Sequence, residues 1–177
     1  KTKVVTKGAK ENTGSSFSNK SRQFRKMSEY GRQLAEKQKV KGIYGIREKQ
    51  FRRFFSIAKK SKDSAGSNLL TLLERRLDNA VFRLKFAITR AQARQMVVHG
   101  HFSVNNVKAF SPSMVLKQGD VISLNKRVIE KTSIVKDVVE KQFAKGTKVP
   151  EWLELDKAGY YGRLLRLPVR EDIQASI

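Results

Sequence analysis

Between Leu69 and Val104 the apolar residues change period, and that change limits the chain to few architectures. Leu69, Leu73, Leu77, Ala80 or Val81, and Leu84 recur at the helical interval, whereas Phe102 and Val104 alternate as in a strand with one buried face. The intervening TRAQARQMVVHG reads as a second helix, with Thr89 and Gln92 at capping-box spacing and Gly100 where a left-handed cap ends helices. Asn105-Asn106 marks a tight hairpin turn, because asparagine tolerates positive φ better than most residues. The strand VKAF returns, SPS makes a corner, and VLKQGDVISL reads as a strand, a Gly-Asp turn and another strand. Helices followed by a small, mainly antiparallel sheet make the fold class α+β.

Helical segments flank this unit. EYGRQLAEKQKVK contains good helix formers and is expected to stop at Gly42, with a short break at Gly45. In REKQFRRFFSIAKK, Phe51, Phe54, Phe55 and Ala58 share one face, at the spacing of a core stripe more than of a base-stacking platform. SKDSAGSN is a loop, and NLLTLLERRLDNAVFRL a third, continuous helix in which Arg76 and Arg83 share a face away from the leucines. Residues 126 to 146 return to helix, capped by Thr132 or Ser133. In KVPEWLELD, Trp152 is expected to anchor packing, and GRLLRLPVRED resembles a strand ended by Pro168.

Charge selects the class of partner. The 177 residues carry 38 Lys and Arg against 16 acidic residues, a formal net charge of +22. Residues 20 to 60 hold fourteen of those cations and three glutamates, so the charge is concentrated near one end. Such a chain repels itself until an anionic partner neutralises it, phosphate backbones first and anionic membranes second. Residues 1 to 28 are polar and basic with few apolar side chains. They read as an arm ordered by a partner, the plainer reading being a solvated tail.

Several functions lack their residues. No apolar run approaches the ~18 residues that span a bilayer. The chain has no cysteine, hence no disulfide and no thiolate metal site. His99 and His101 flank Gly100, but zinc needs three or four converging ligands, and a two-histidine nuclease lacks a lysine or carboxylate pair to complete it. The histidines therefore read as structure plus RNA contact. No catalytic residue, cofactor or metal is expected.

LLERRLDNAVFRLKFAITRAQARQMVVHGHFSVNN and SPSMVLKQGDVISL closely resemble the RNA-binding module named after ribosomal small-subunit protein four. SEYGRQLAEKQKVKGIYGIREKQFRRFF resembles the helical segment preceding it in that ribosomal protein, of bacterial or organellar type. PEWLELD and GRLLRLPVRED resemble its C-terminal portion, so the likeness runs from about residue 26 to 173. It implies a helical domain with an inserted RNA-binding module of two helices packed on a small sheet. The expected divisions are an arm at 1–28, a helical domain at 29–68 joined by about 158–177, the module at 69–125, and its helical extension at 126–157.

The resemblance also implies a structural constituent of the small ribosomal subunit, on a bacterial cytoplasmic or an organellar ribosome. Such proteins are primary binders of the 5′ domain of small-subunit rRNA and nucleate assembly. They border the point where mRNA enters, contact small-subunit protein five, and influence decoding accuracy. The group matched to mRNA contact is Lys26, then Arg25 and Arg22. No homo-oligomer and no membrane is needed. Three departures stand out: no N-terminal zinc knuckle, Asn105-Asn106 where Asn-Gly is usual, and NTGSSFSNKS in place of a Pro-Gly-Gln-His-Gly loop. The missing initiating methionine and final apolar strand suggest an incomplete chain or a divergent member.

Recognition is expected to rest on Arg75, Arg76, Arg83, Arg90, Arg94, Gln95, His99 and Asn105 in the module, and on Arg47, Lys49, Arg52 and Arg53 in the helical domain. The plainer reading of any single arginine is a solvated face. Asp78 is expected to orient an arginine rather than act as an acid. Alternatives are an RNA-modifying enzyme or a stress-type ribosome-binding factor that uses the same module.

Overall fold

The computed structural model describes residues 28–60, 64–131, 133–146 and 148–173. The chain opens on helix α1 (Glu29–Tyr44), where the Ser28 hydroxyl accepts from the Gly31 amide. This helix continues through Gly42, where sequence placed its end, and stops at Gly45 in the left-handed conformation at φ 60°. Tyr44 holds the last turn inside, its hydroxyl donating to Glu74 over 2.7 Å. Helix α2 (Glu48–Ala58) follows, with Phe51, Phe54 and Ala58 buried and Phe55 turned partly outward.

The third helix differs from expectation. The leucine run is two helices, α3 (Ala65–Glu74) and α4 (Leu77–Arg83), parted at Arg75-Arg76. Arg76 is extended, and the chain at 112–116 supplies the interrupted hydrogen bonds. Leu77 N–H donates to Met114 O, Asp78 N–H to Pro112 O, and Leu116 N–H to Arg75 O. The amide donors at the start of α4 are thus satisfied without a continuous helix. Val115, expected in a strand, makes only an isolated antiparallel bridge to Arg76.

Helix α5 (Arg90–Val98) begins as the spacing suggested, the Thr89 hydroxyl accepting from the Gln92 amide. The Gln92 side chain reaches back one residue further than a standard capping box, to the amide of Ile88. Gly100 is left-handed at φ 71°, and a Cβ there would lie 2.4 Å from the Phe110 ring. Strands β1 (Phe102–Val104) and β2 (Val107–Ala109) form the hairpin, with Asn105 and Asn106 at φ 49° and 67°. Strand β3 (Val121–Leu124) is followed by α6 (Lys126–Lys131) and α7 (Ser133–Ala144). The cap expected at Thr132 or Ser133 falls on side chains outside those described.

Two further strands complete the sheet: β4 (Leu153–Asp156), unrecognised in the sequence, and β5 (Tyr161–Leu164), which ends before Pro168. The order is β2-β1-β3-β5-β4, every pairing antiparallel. The C-terminal segment therefore first joins the sheet. Beyond it, Pro168 O accepts from Thr71, and a 3₁₀ turn (Arg170–Asp172) leads to Ile173 in the helical core.

Burial separates two cores. Leu77, Val81, Leu84, Phe86, Phe102, Ile122, Trp152 and Leu164 belong to one, between α4, α5 and the sheet. Val40, Tyr44, Phe51, Phe54, Leu69, Leu70, Leu73 and Ile173 belong to the other. The apolar stripe that is continuous in sequence is thus divided, Leu69 and Leu73 to one core, Leu77 and Leu84 to the other. Each such side chain contributes about 1.5–3 kcal/mol on full burial, so both sides resist a shift of the break.

Candidate RNA-binding face

Two buried carboxylates organise the junction between the cores. Glu74, 1% exposed, accepts from Tyr44 Oη at 2.7 Å, Asn79 Nδ2 at 2.6 Å, and Arg83 Nη2 and Nε at 2.7 and 3.1 Å. Asp78 accepts from Arg76 Nη2 and Nε at 2.6 and 3.0 Å, from the Asn79 amide, and from Arg94 Nη1 at 3.4 Å. Asp78 is indeed an orienting partner. Asn79 links the halves, its side-chain oxygen accepting from Arg90 Nε at 2.8 Å. The Arg90 guanidinium sits 4.5 Å from the Phe82 ring centre and 5.3 Å from that of Tyr44. Burial, followed by the charge of Arg83, lowers the Arg90 pKa from its ordinary value. Burial first, and then Glu74, raise the Tyr44 hydroxyl.

The network holds four guanidinium groups, Arg76, Arg83, Arg90 and Arg94, against the carboxylates of Glu74 and Asp78. Two positive charges are left over, and the exposed end is Arg94, whose side chain is 42% accessible. Such a guanidinium, braced from behind by a carboxylate, is pre-organised for phosphate at lower entropic cost than a free one.

The predicted residues separate by environment. Arg76 is a correction: it is wholly buried, stacked 5.5 Å from the Phe54 ring centre, with Nη1 unpartnered, so it offers RNA no surface. Arg83 is bound to Glu74 with 14% of its side chain accessible, and Arg75 is half-buried with Nε donating to Leu116 O. Both are largely structural in this arrangement. Arg94, Gln95 and His99 lie on or after α5 with surface available, and Arg47, Lys49, Arg52 and Arg53 are exposed at and along α2. Arg22, Arg25 and Lys26 lie outside the described residues.

Asn105 is exposed, but its side chain serves the hairpin. Its Nδ2 donates to Asp120 and its Oδ1 accepts from the Val121 amide, at 2.9 and 3.0 Å. His99 terminates α5, and its ring stands 5.8 Å from that of His101. Burial, then the charge of His99, lowers the His101 pKa from 6.5. Among the described residues no three His, Cys, Asp or Glu side chains converge on a possible metal position. Sequence reasoning missed Phe110 and Lys108 beside this pair. Phe110 is 57% exposed over Gly100, with the Lys108 ammonium 5.9 Å from its ring centre. The hint was Gly100, whose absent side chain leaves the space that Phe110 fills.

Residues 2–74 match the family described as the ribosomal protein S4/S9 N-terminal domain, and residues 75–122 match the S4 domain. The two matches meet at Glu74-Arg75, where the helix breaks and the cores part. The chain is 51% identical over 153 residues to the small ribosomal subunit protein uS4 of Caldicellulosiruptor bescii, covering 86% of this chain and 72% of that protein. The chain belongs to the uS4 family. The uS4 proteins of Geobacter metallireducens and a Thermoanaerobacter species are 50% and 47% identical, with the same coverage. As a member of the uS4 family of small-subunit ribosomal proteins, the chain is not an enzyme. Its face is read for binding and not for chemistry.

Proposed function

We propose that the chain is a structural constituent of the small ribosomal subunit that binds the 5′ domain of its rRNA as a primary binder and nucleates assembly there. The observation that carries this reading is the braced cation cluster: Arg94 held outward by Asp78, and Arg90 held by Asn79 and two aromatic rings. Fixed cations match the positions of phosphates at a folded junction, which is how structured RNA is read when base edges are inaccessible. The exposed arginines of α2 add a second grip. Family membership supports the ribosomal setting, and the bacterial sources of the relatives favour the bacterial cytoplasm over the organellar alternative.

The same reading places the chain beside small-subunit protein five where mRNA enters, with Lys26, Arg25 and Arg22 towards the messenger and an influence on decoding accuracy. The helical part with its C-terminal return, and the RNA-binding module with its helical extension, are the two domains of the proposal. The two hydrophobic cores support that division.

The test is binding to the rRNA 5′ domain and to a scrambled RNA of equal length across a salt series. The gap between the two affinities is expected to persist as salt rises, since a folded site is read by more than counterion release. Equal binding and simultaneous release would overturn the proposal.

A further inference from the structure

Between α1 and α2 lies an open cleft of about 460 Å³, walled by Tyr30, Leu34, Phe51 and Phe55 and edged by Lys37 and Arg52. Tyr30, Leu34 and Phe55 are 75%, 40% and 37% exposed, large apolar surface that neither core covers. The rings of Phe51 and Phe55 are nearly parallel, 11° apart with centres separated by 6.2 Å. The cleft is framed by cations. Lys59 lies 5.0 Å from the Phe55 ring centre and Lys37 5.8 Å from that of Phe51.

Two of the acids nearby are already matched, and Glu36 stays at the exposed margin. Glu48 accepts from Lys37, Lys41 and Arg52 at 2.6, 2.7 and 3.2 Å, and Glu29 accepts from Arg32 and Gln33. Among the described residues no carboxylate lines the cleft itself. A flat aromatic recess in a cationic frame fits a flat apolar ring carried on a polyanion. An apolar protein helix would instead bring its surface against desolvated lysine and arginine heads, at a cost. We propose that this cleft holds an unpaired base of single-stranded RNA, stacked against Tyr30 and Phe55, with the neighbouring phosphates on Arg52 and Lys59. The inference rests on the RNA-binding function proposed above and adds a second, base-holding site outside the module.

The test uses the full chain, a short oligonucleotide of abasic positions carrying a single adenine, and the fully abasic strand of the same length. The base-bearing strand is expected to bind roughly ten-fold more tightly, the range of one base–aromatic stack. Tyr30→Ala and Phe55→Ala should each abolish that preference, while Tyr30→Phe and Phe55→Tyr should keep it. Phe55→Leu is the second variant should Phe55→Ala fail to fold, since it keeps apolar volume and removes the ring. No preference in the wild type, or a preference that survives in Tyr30→Ala and Phe55→Leu, would overturn the inference. A cleft that docks a protein instead would show the same insensitivity of RNA affinity. Binding to the rRNA 5′ domain is measured on the same samples. Selective binding there without base preference removes only the cleft, whereas loss of selectivity removes the ribosomal reading.

Discussion

The arginines of α2 and those around α4 are the same residue type in similar density, yet they occupy opposite environments. Arg52 keeps 77% of its side chain accessible and Arg53 is also exposed, whereas Arg76 is wholly buried and Arg83 nearly so. On α2 the aromatic stripe takes the core side and leaves the arginines outside. Around α4 the helix break turns Arg76 inward, where Asp78 and the Phe54 ring receive it. The comparison teaches that counting cations in a basic chain overstates its binding surface, because part of the charge is internal framework.

The hardest blow to this comparison falls on the buried side. Asp78→Ala strands Arg76 without its carboxylate and is expected to cost about 3–5 kcal/mol, the range for breaking a buried ion pair. Urea unfolding measures it. A loss below about 1 kcal/mol would mean that Arg76 reaches solvent and that the two regions are alike. Arg76→Met combined with Asp78→Ala should recover part of the loss, since paired apolar replacement of a buried ion pair is often tolerated.

The exposed side should respond in binding and hardly in stability. Arg52→Ala and Arg53→Ala are each expected to change stability by no more than about 0.5 kcal/mol. Each should also reduce the salt slope of rRNA binding by about 1 if it removes a phosphate contact. Arg94→Glu should weaken rRNA binding more than Lys141→Glu on α7. Equal losses would shift the binding face away from α5. Arg90 is a poorer probe, because its reversal would also disturb Asn79 and the rings it covers.

The smallest expected effect sharpens the link between α1 and α2. Hydrogen bonds from Lys37 and then Lys41 hold Glu48 at about 2, against an ordinary 4.5. A depressed carboxyl contributes stability that is fully present above pH 4.5 and disappears as pH falls toward 2. Glu48→Gln should therefore flatten the pH dependence of unfolding across that window. An unchanged slope would show that the three cations do not act on Glu48 in solution.

Much of the fold was legible where local rules act alone. Thr89, Gly100 and the Asn105-Asn106 turn each need only their own backbone conformation, and each appears where read. The break at Arg75-Arg76 was not legible, since the leucine spacing runs straight through it. Its cause is the backbone of residues 112–116, far away in the chain. Strand β4 was hidden because Leu153 and Leu155 make a short alternation that becomes a strand only beside β5. The candidate face was legible as basic and arginine-rich, but not in which arginines face out.

The sequence by itself determined the class of the molecule: α+β, strongly basic, built for a phosphate-bearing partner. Those properties follow from periodicity, turn residues and net charge, which need no knowledge of distant contacts. Only the tertiary structure decided that one apolar stripe serves two cores, and that Arg76 and Arg83 brace the junction while Arg94, Arg52 and Arg53 keep accessible guanidinium groups. The reason is that burial depends on what packs against a residue. For Arg76 that is Asp78, Phe54 and a loop some forty residues downstream.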